Sequence, residues 1–233
     1  MAGVKYRGLS RESSWLRWGA FGLVIGAVLV VSAPAAIGIY GEWLGAQQES
    51  LPWYSSRILG FLGYWALTGS VVYGLLMSTG ILDAIAHRAV SFSLHQELSA
   101  VAIGLVAMHG AVLALDTFIH QSVFELVVPF AGPYRPVWVG IGQLALYLMI
   151  VVYASFYLRN HIGQRGWRML HYTTFLAFVG GTAHGLMAGT DTSAPWALWS
   201  YVGASVAVVF LLGYRITLSV AHRAATTAKE SSR

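Results

Sequence analysis

The sequence predicts an all-α integral membrane protein, a six-helix bundle with both termini cytoplasmic, on three observations. The chain is 57% hydrophobic and only 10% charged, whereas soluble domains carry roughly a quarter charged residues. Apolar runs near the ~20 residues that cross a bilayer recur along it, joined by short connections. Finally, 12 of its 14 lysines and arginines fall on one side of those runs, which orients the bundle.

Taken in order, the spans are expected at about 15–40, 57–80, 91–115, 136–158, 166–188 and 196–220. Lys5, Arg7, Arg11 and Arg17 precede the first span. Its apolar run has no small-residue cleavage site leading into a soluble domain, so no removed leader is expected. Arg88 lies between the second and third spans, Arg159, Arg165 and Arg168 flank the connection between the fourth and fifth, and Arg215, Arg223, Lys229 and Arg233 lie at the C-terminal end. Only Arg57 and Arg135 fall on the other side. The positive-inside rule therefore puts both termini in the cytoplasm. Trp15, Trp18, Trp43, Trp53, Trp138 and Trp196 lie near expected span ends, where indoles anchor at the interface. The basic balance follows from this bias and calls for no nucleic acid.

The longest connection, 116–136, contains Pro129, Pro133 and Pro136 among apolar residues and is expected to lie along the outer interface as a short amphipathic cap. Residues 1–233 read as one domain, with no repeat and no soluble flavin or nicotinamide domain. Gly60, Gly63, Gly69 and Gly74 of the second span, with Gly180, Gly181 and Gly185 of the fifth, serve either close helix packing or room for a flat macrocycle.

The chemistry lies in four histidines. His95 and His109 are 14 residues apart in the third span, and His171 and His184 are 13 apart in the fifth, so each pair covers roughly 20 Å of helix. Both spans run outward, which sets His95 level with His171 near the cytoplasm and His109 level with His184 near the outer face. Ionisable groups in lipid mark function, and paired imidazoles at matched depth are what a bis-histidine haem needs. There is no cysteine, so thiolate ligation, iron–sulfur clusters and covalent haem attachment are excluded. Fourteen residues bring His95 and His109 to one face, but 13 leave His171 and His184 about 140° apart on an ideal helix. Either the fifth helix distorts locally, with Gly180 and Gly181 the obvious place for a kink or overwound turn, or the haems approach it from different sides. His87, His120, His161 and His222 fall in connections or at span ends and are read as solvated.

These pairs, with VVPFAGPYRPVWVGIG at 127–142, WRMLHYTTF at 167–175 and HGLMAGTD at 184–191, resemble the bacterial ferric reductase-like transmembrane proteins, relatives of the ferric reductase and NADPH oxidase membrane domain. The resemblance implies two noncovalent b-type haems, the inner held by His95 and His171 and the outer by His109 and His184, in a bacterial cytoplasmic membrane. Flavin would come only through a partner. Propionates need cationic partners, for which Arg57 and Arg135 are candidates at the outer level and Arg168 or Arg88 at the inner. The implied function is electron transfer from a cytoplasmic flavoprotein or quinol, through both haems, to an acceptor at the outer face. Two alternatives are a haem-binding subunit of a multi-protein reductase resembling the periplasmic methionine-sulfoxide reductase system, and a non-redox membrane transporter.

Overall fold

The computed structural model describes residues 51–84, 86–115 and 121–231. The first expected span, with Trp15, Trp18 and Trp43, and also Asp116 and His120, lie outside the described residues. The remainder is helical throughout: α1 (Leu51–Thr79), α2 (Arg88–Val112), the short α3 (Val123–Val127), α4 (Pro136–Tyr172), α5 (Thr174–Ala188) and α6 (Pro195–Ser231), with single 3₁₀ turns at Ile81–Ala84, Leu113–Leu115 and Asp191–Ser193. Four stretches are long and apolar enough to cross a membrane: Leu51–Thr79, Arg88–Leu115, Pro136–Ala188 and Pro195–Thr227.

Local chemistry sets the ends. α1 stops where Gly80 takes a left-handed φ of 77°, the usual glycine exit from a helix. The carbonyl-poor start of α2 is capped by His87, whose Nδ1 accepts from the Ala89 N–H. In α3, Ser122 and Glu125 form a reciprocal capping box. Proline opens α4 at Pro136, where a missing N–H costs nothing.

The third stretch doubles back. At Gly163 the backbone leaves the helical region (φ 74°, ψ 159°), a conformation that favours glycine. The limb 136–162 then packs antiparallel to α5: Gly180 lies over Ala145, and Tyr134 donates to the Ala188 carbonyl. The expected fourth and fifth spans correspond to these two limbs. Two ends differ from expectation: α1 begins six residues earlier than 57, placing Arg57 inside the helix, and α6 continues through the polar tail to Ser231.

The kink expected at Gly180 and Gly181 is elsewhere. α5 runs unbroken through both glycines, and the irregular residue is Thr173, whose N–H bonds Leu170 O at 3.0 Å. That i→i−3 turn winds the chain by about 120° rather than 100° per residue, in the direction needed to bring His171 toward the face of His184. Both glycines instead serve packing, against Ala145, Ile141 and Leu67.

The core centres on α1. Tyr64, Leu67, Val71 and Leu75 pack with Ala102 of α2, Met149 of α4, Ala177 and Phe178 of α5, and Tyr201, Ala204 and Val208 of α6. Outward faces carry exposed Val151, Leu176, Val179, Val206, Val209 and Phe210. Water would not tolerate such continuous apolar cover, and lipid would. In the connection before α4, α3 exposes Val123, Phe124 and Val127, and Gln143 Nε2 of α4 fastens it through Glu125 O and Leu126 O, both at 2.8 Å.

Candidate functional site

The four membrane histidines meet in two facing pairs. Ring centroids of His95 and His171 are 6.1 Å apart, and those of His109 and His184 are 6.0 Å apart. The rings come from α2 on one side, and from the end of α4 (His171) and the middle of α5 (His184) on the other. Each pair lines its own cavity, of 320 Å³ at the His95–His171 level and 210 Å³ at the His109–His184 level. Leu67 and Met149 line both and form the partition between them.

Three of the four rings are held in one way. His109 Nδ1 lies 2.7 Å from Ser56 O, His95 Nδ1 lies 3.1 Å from Ser70 O, and His184 Nδ1 lies 2.9 Å from Trp138 O. A carbonyl only accepts, so the proton is on Nδ1 and the Nε2 lone pair is free to ligate. Ser56 Oγ adds a second contact to His109 Nδ1 at 2.9 Å.

A helical carbonyl can be reached from the side only if nothing covers it. Four residues beyond each acceptor stands a glycine. A Cβ on Gly60 would lie 2.9 Å from His109 Nδ1, one on Gly74 3.0 Å from His95 Cε1, and one on Gly142 2.6 Å from His184 Nδ1. The bare glycine is the seat on which the imidazole rests. Gly63, between two of these seats, admits Val106 instead, so packing and room for the rings are both served by glycines of α1. His171 is held differently, stacked on Trp167 at 5.2 Å and 29°.

The donor set fits a haem. An imidazole nitrogen sits about 2.0 Å from a metal it ligates, and a five-membered ring with bonds near 1.35 Å has a radius of about 1.15 Å. Two such ligands on opposite sides of one ion put their centroids about 6.3 Å apart, close to both observed separations. Among the described residues there is no cluster of three or more His, Cys, Asp or Glu side chains able to hold a metal. Two ligands alone suit an ion whose other positions are filled by a macrocycle.

The arginines sort differently from expectation. Arg57 lines the His109–His184 cavity, but it makes a two-point ion pair with Asp191, with Nε to Oδ2 at 2.8 Å and a second contact from Nη2 to Oδ1. Arg135 is not in the cavity wall; its guanidinium donates to Met187 O and lies over the Tyr134 ring. Arg168 is exposed, outside the wall of the His95–His171 cavity. That wall instead holds Arg88, weakly paired with Asp83 at 3.7 Å, and Arg215 of α6. Arg215, Trp167, Ser56, Ser70 and the three seating glycines were not singled out for these roles from the sequence. A signal for four of them exists: serine precedes glycine by four residues at 56/60 and again at 70/74, the same 14-residue repeat as His95 and His109. His87, His161 and His222 are exposed, away from both pairs.

No family model, curated protein or solved structure matches this chain.

Proposed function

We propose that this protein carries electrons across a membrane through two b-type haems, one between His95 and His171 and one between His109 and His184. The observation that carries the reading is the pair of imidazole separations, 6.1 and 6.0 Å, with three of the four rings anchored through Nδ1 so that Nε2 is free to ligate. When bound, each haem supplies a one-electron ferric–ferrous couple.

The chain's own work is positional. α1 and α4 hold three ligand rings against bare glycines, and Trp167 holds the fourth. Leu67 and Met149 keep the two levels separate but adjacent, and the apolar walls exclude water, which tunes the potentials. With the six-span topology and cytoplasmic termini, the His95–His171 level receives electrons from a flavoprotein or quinol at the inner face. The His109–His184 level passes them to an outer acceptor. The residues that carry the resemblance support reading the chain as one of the ferric reductase-like membrane proteins of bacterial cytoplasmic membranes.

The test is haem content. Protein purified in detergent should show a low-spin b-type spectrum and approach two haems per chain by pyridine haemochrome. A folded, colourless protein overturns the reading.

A further inference from the structure

The two histidine levels share one pattern on α1, but a serine hydroxyl is used differently in each. Ser56 stands four residues before Gly60 and Ser70 four before Gly74, and each offers its backbone carbonyl to a ring of α2. At His109 the Ser56 side chain joins in. Ser56 Oγ donates to His109 O at 3.0 Å, which leaves its lone pairs to face His109 Nδ1, 2.9 Å away. The Nδ1–H is then shared between Ser56 O at 2.7 Å and Ser56 Oγ, a three-centre bond.

At His95 a second serine intervenes. Ser99, one turn beyond His95, donates to His95 O at 2.8 Å and so fills the acceptor that the serine hydroxyl uses at the other level. With its one proton committed there, Ser99 Oγ accepts from Ser70 Oγ at 2.7 Å. Ser70 Oγ is left 3.4 Å from His95 Nδ1, and Ser70 O lies 3.1 Å from it. The place one turn beyond His109 is Leu113, which has no hydroxyl to compete for Ser56.

We propose that Ser56 is a positioning residue that makes His109 the stronger electron donor to iron, and that Ser99 withholds the same contact from His95. The inference rests on the haem ligation proposed above and adds an inequality between the two levels. An acceptor for the Nδ1–H raises the basicity of the ligating Nε2. That favours the ferric ion over the ferrous and lowers the potential. Ser56 and Ser70 are both buried, where a hydrogen bond acts at low local dielectric and is electrostatically stronger than in water. The serine contacts alone therefore pull the potential of the His109–His184 haem below that of the His95–His171 haem.

The experiment is a redox titration of the purified holoprotein followed by its visible spectrum, with His109→Ala identifying the haem at the His95–His171 level. One hydrogen bond is worth about three- to tenfold in an equilibrium, tenfold being about 59 mV for a one-electron couple. Ser56→Ala should shift the His109–His184 haem toward ferrous by that factor and leave the other haem unmoved. Ser56→Thr, which keeps the hydroxyl, should restore the wild-type potential. Ser99→Ala vacates His95 O for the Ser70 hydroxyl and should shift the His95–His171 haem toward ferric by a similar factor; adding Ser70→Ala should cancel that shift. The proposal is overturned if Ser56→Ala leaves the potential unmoved, shifts it toward ferric, or loses the haem, which would make Ser56 a support for the ring. It is overturned equally if Ser99→Ala moves nothing, or if its shift survives Ser70→Ala. A wild-type protein that takes up no haem is a separate result, which removes the electron-transfer reading itself.

Discussion

The imidazole of His109 rests on Gly60 and donates from Nδ1 to the carbonyl of Ser56, 2.7 Å away and one helical turn earlier. The same arrangement joins His95 to Gly74 and Ser70, and His184 to Gly142 and Trp138. Three imidazole rings on two helices are thus oriented by the backbone of two others. A side chain at any seat removes both the space and the access to the carbonyl.

Gly60→Ala and Gly142→Ala should therefore each lose the haem at the His109–His184 level, and Gly74→Ala the haem at the other. The added methyl would lie within 3.0 Å of the ring in every case, and groups that orient a metal ligand are commonly worth 10–100-fold in metal affinity. Haem per chain should fall from two toward one, with the protein still folded by circular dichroism. Gly104, with open space at its Cβ, is the control, and Gly104→Ala should keep both haems. Full occupancy in all three seat variants would show that the rings do not need these positions.

Ring orientation gives a spectroscopic expectation. The imidazole planes stand 71° apart in the His95–His171 pair and 75° apart in the His109–His184 pair. With near-perpendicular planes the two iron d orbitals that overlap the imidazole π systems are affected equally and stay close in energy. Ferric haems held this way should give strongly anisotropic low-spin signals in electron paramagnetic resonance. Rhombic signals with modest anisotropy would mean that the planes are nearly parallel in the haem-loaded protein.

How far the sequence reveals this arrangement can be judged from particular residues. Hydropathy and the histidine spacings place His95 opposite His171 and His109 opposite His184, because period and rise are fixed by helix geometry. The break is at Thr173 and not at Gly180 and Gly181, because glycine marks only permission to bend and an i→i−3 turn needs no glycine at all. Arg57 and Arg135 were legible as arginines against the charge bias. Their partners Asp191 and Met187 O lie 134 and 52 residues away in sequence, and no local pattern encodes such tertiary pairings. In sequence Arg215 is one more charge of the positive side, because its place in the cavity wall depends on how α6 packs.

The absence of cysteine from the chain makes the topology directly measurable. Single cysteines at Pro133, exposed in the connection before α4, and at Thr226, exposed near the end of α6, are expected to report opposite sides. In intact cells a membrane-impermeant thiol reagent should label Pro133→Cys and spare Thr226→Cys until the membrane is opened. Labelling in the reverse order would invert the bundle and exchange the donor and acceptor levels.

Arg57 and Asp191 should move the potential of the haem at the His109–His184 level in opposite directions. Arg57 lines that cavity while paired to Asp191, and the two side chains are 27% and 15% exposed, so their charges are only partly screened by solvent. Negative charge near the iron stabilises the ferric state and lowers the potential; positive charge raises it. Arg57→Ala leaves the Asp191 carboxylate uncompensated and should lower the potential of that haem. Asp191→Asn frees the guanidinium, which can then turn to a propionate, and should raise it. The double variant should lie between the single ones, because the pair acts as a unit and its members are in contact. A redox titration resolving both haems reads all three. Shifts of the same sign in the two single variants, or none in either, would reduce this ion pair to a clasp between the start of α1 and the turn after α5.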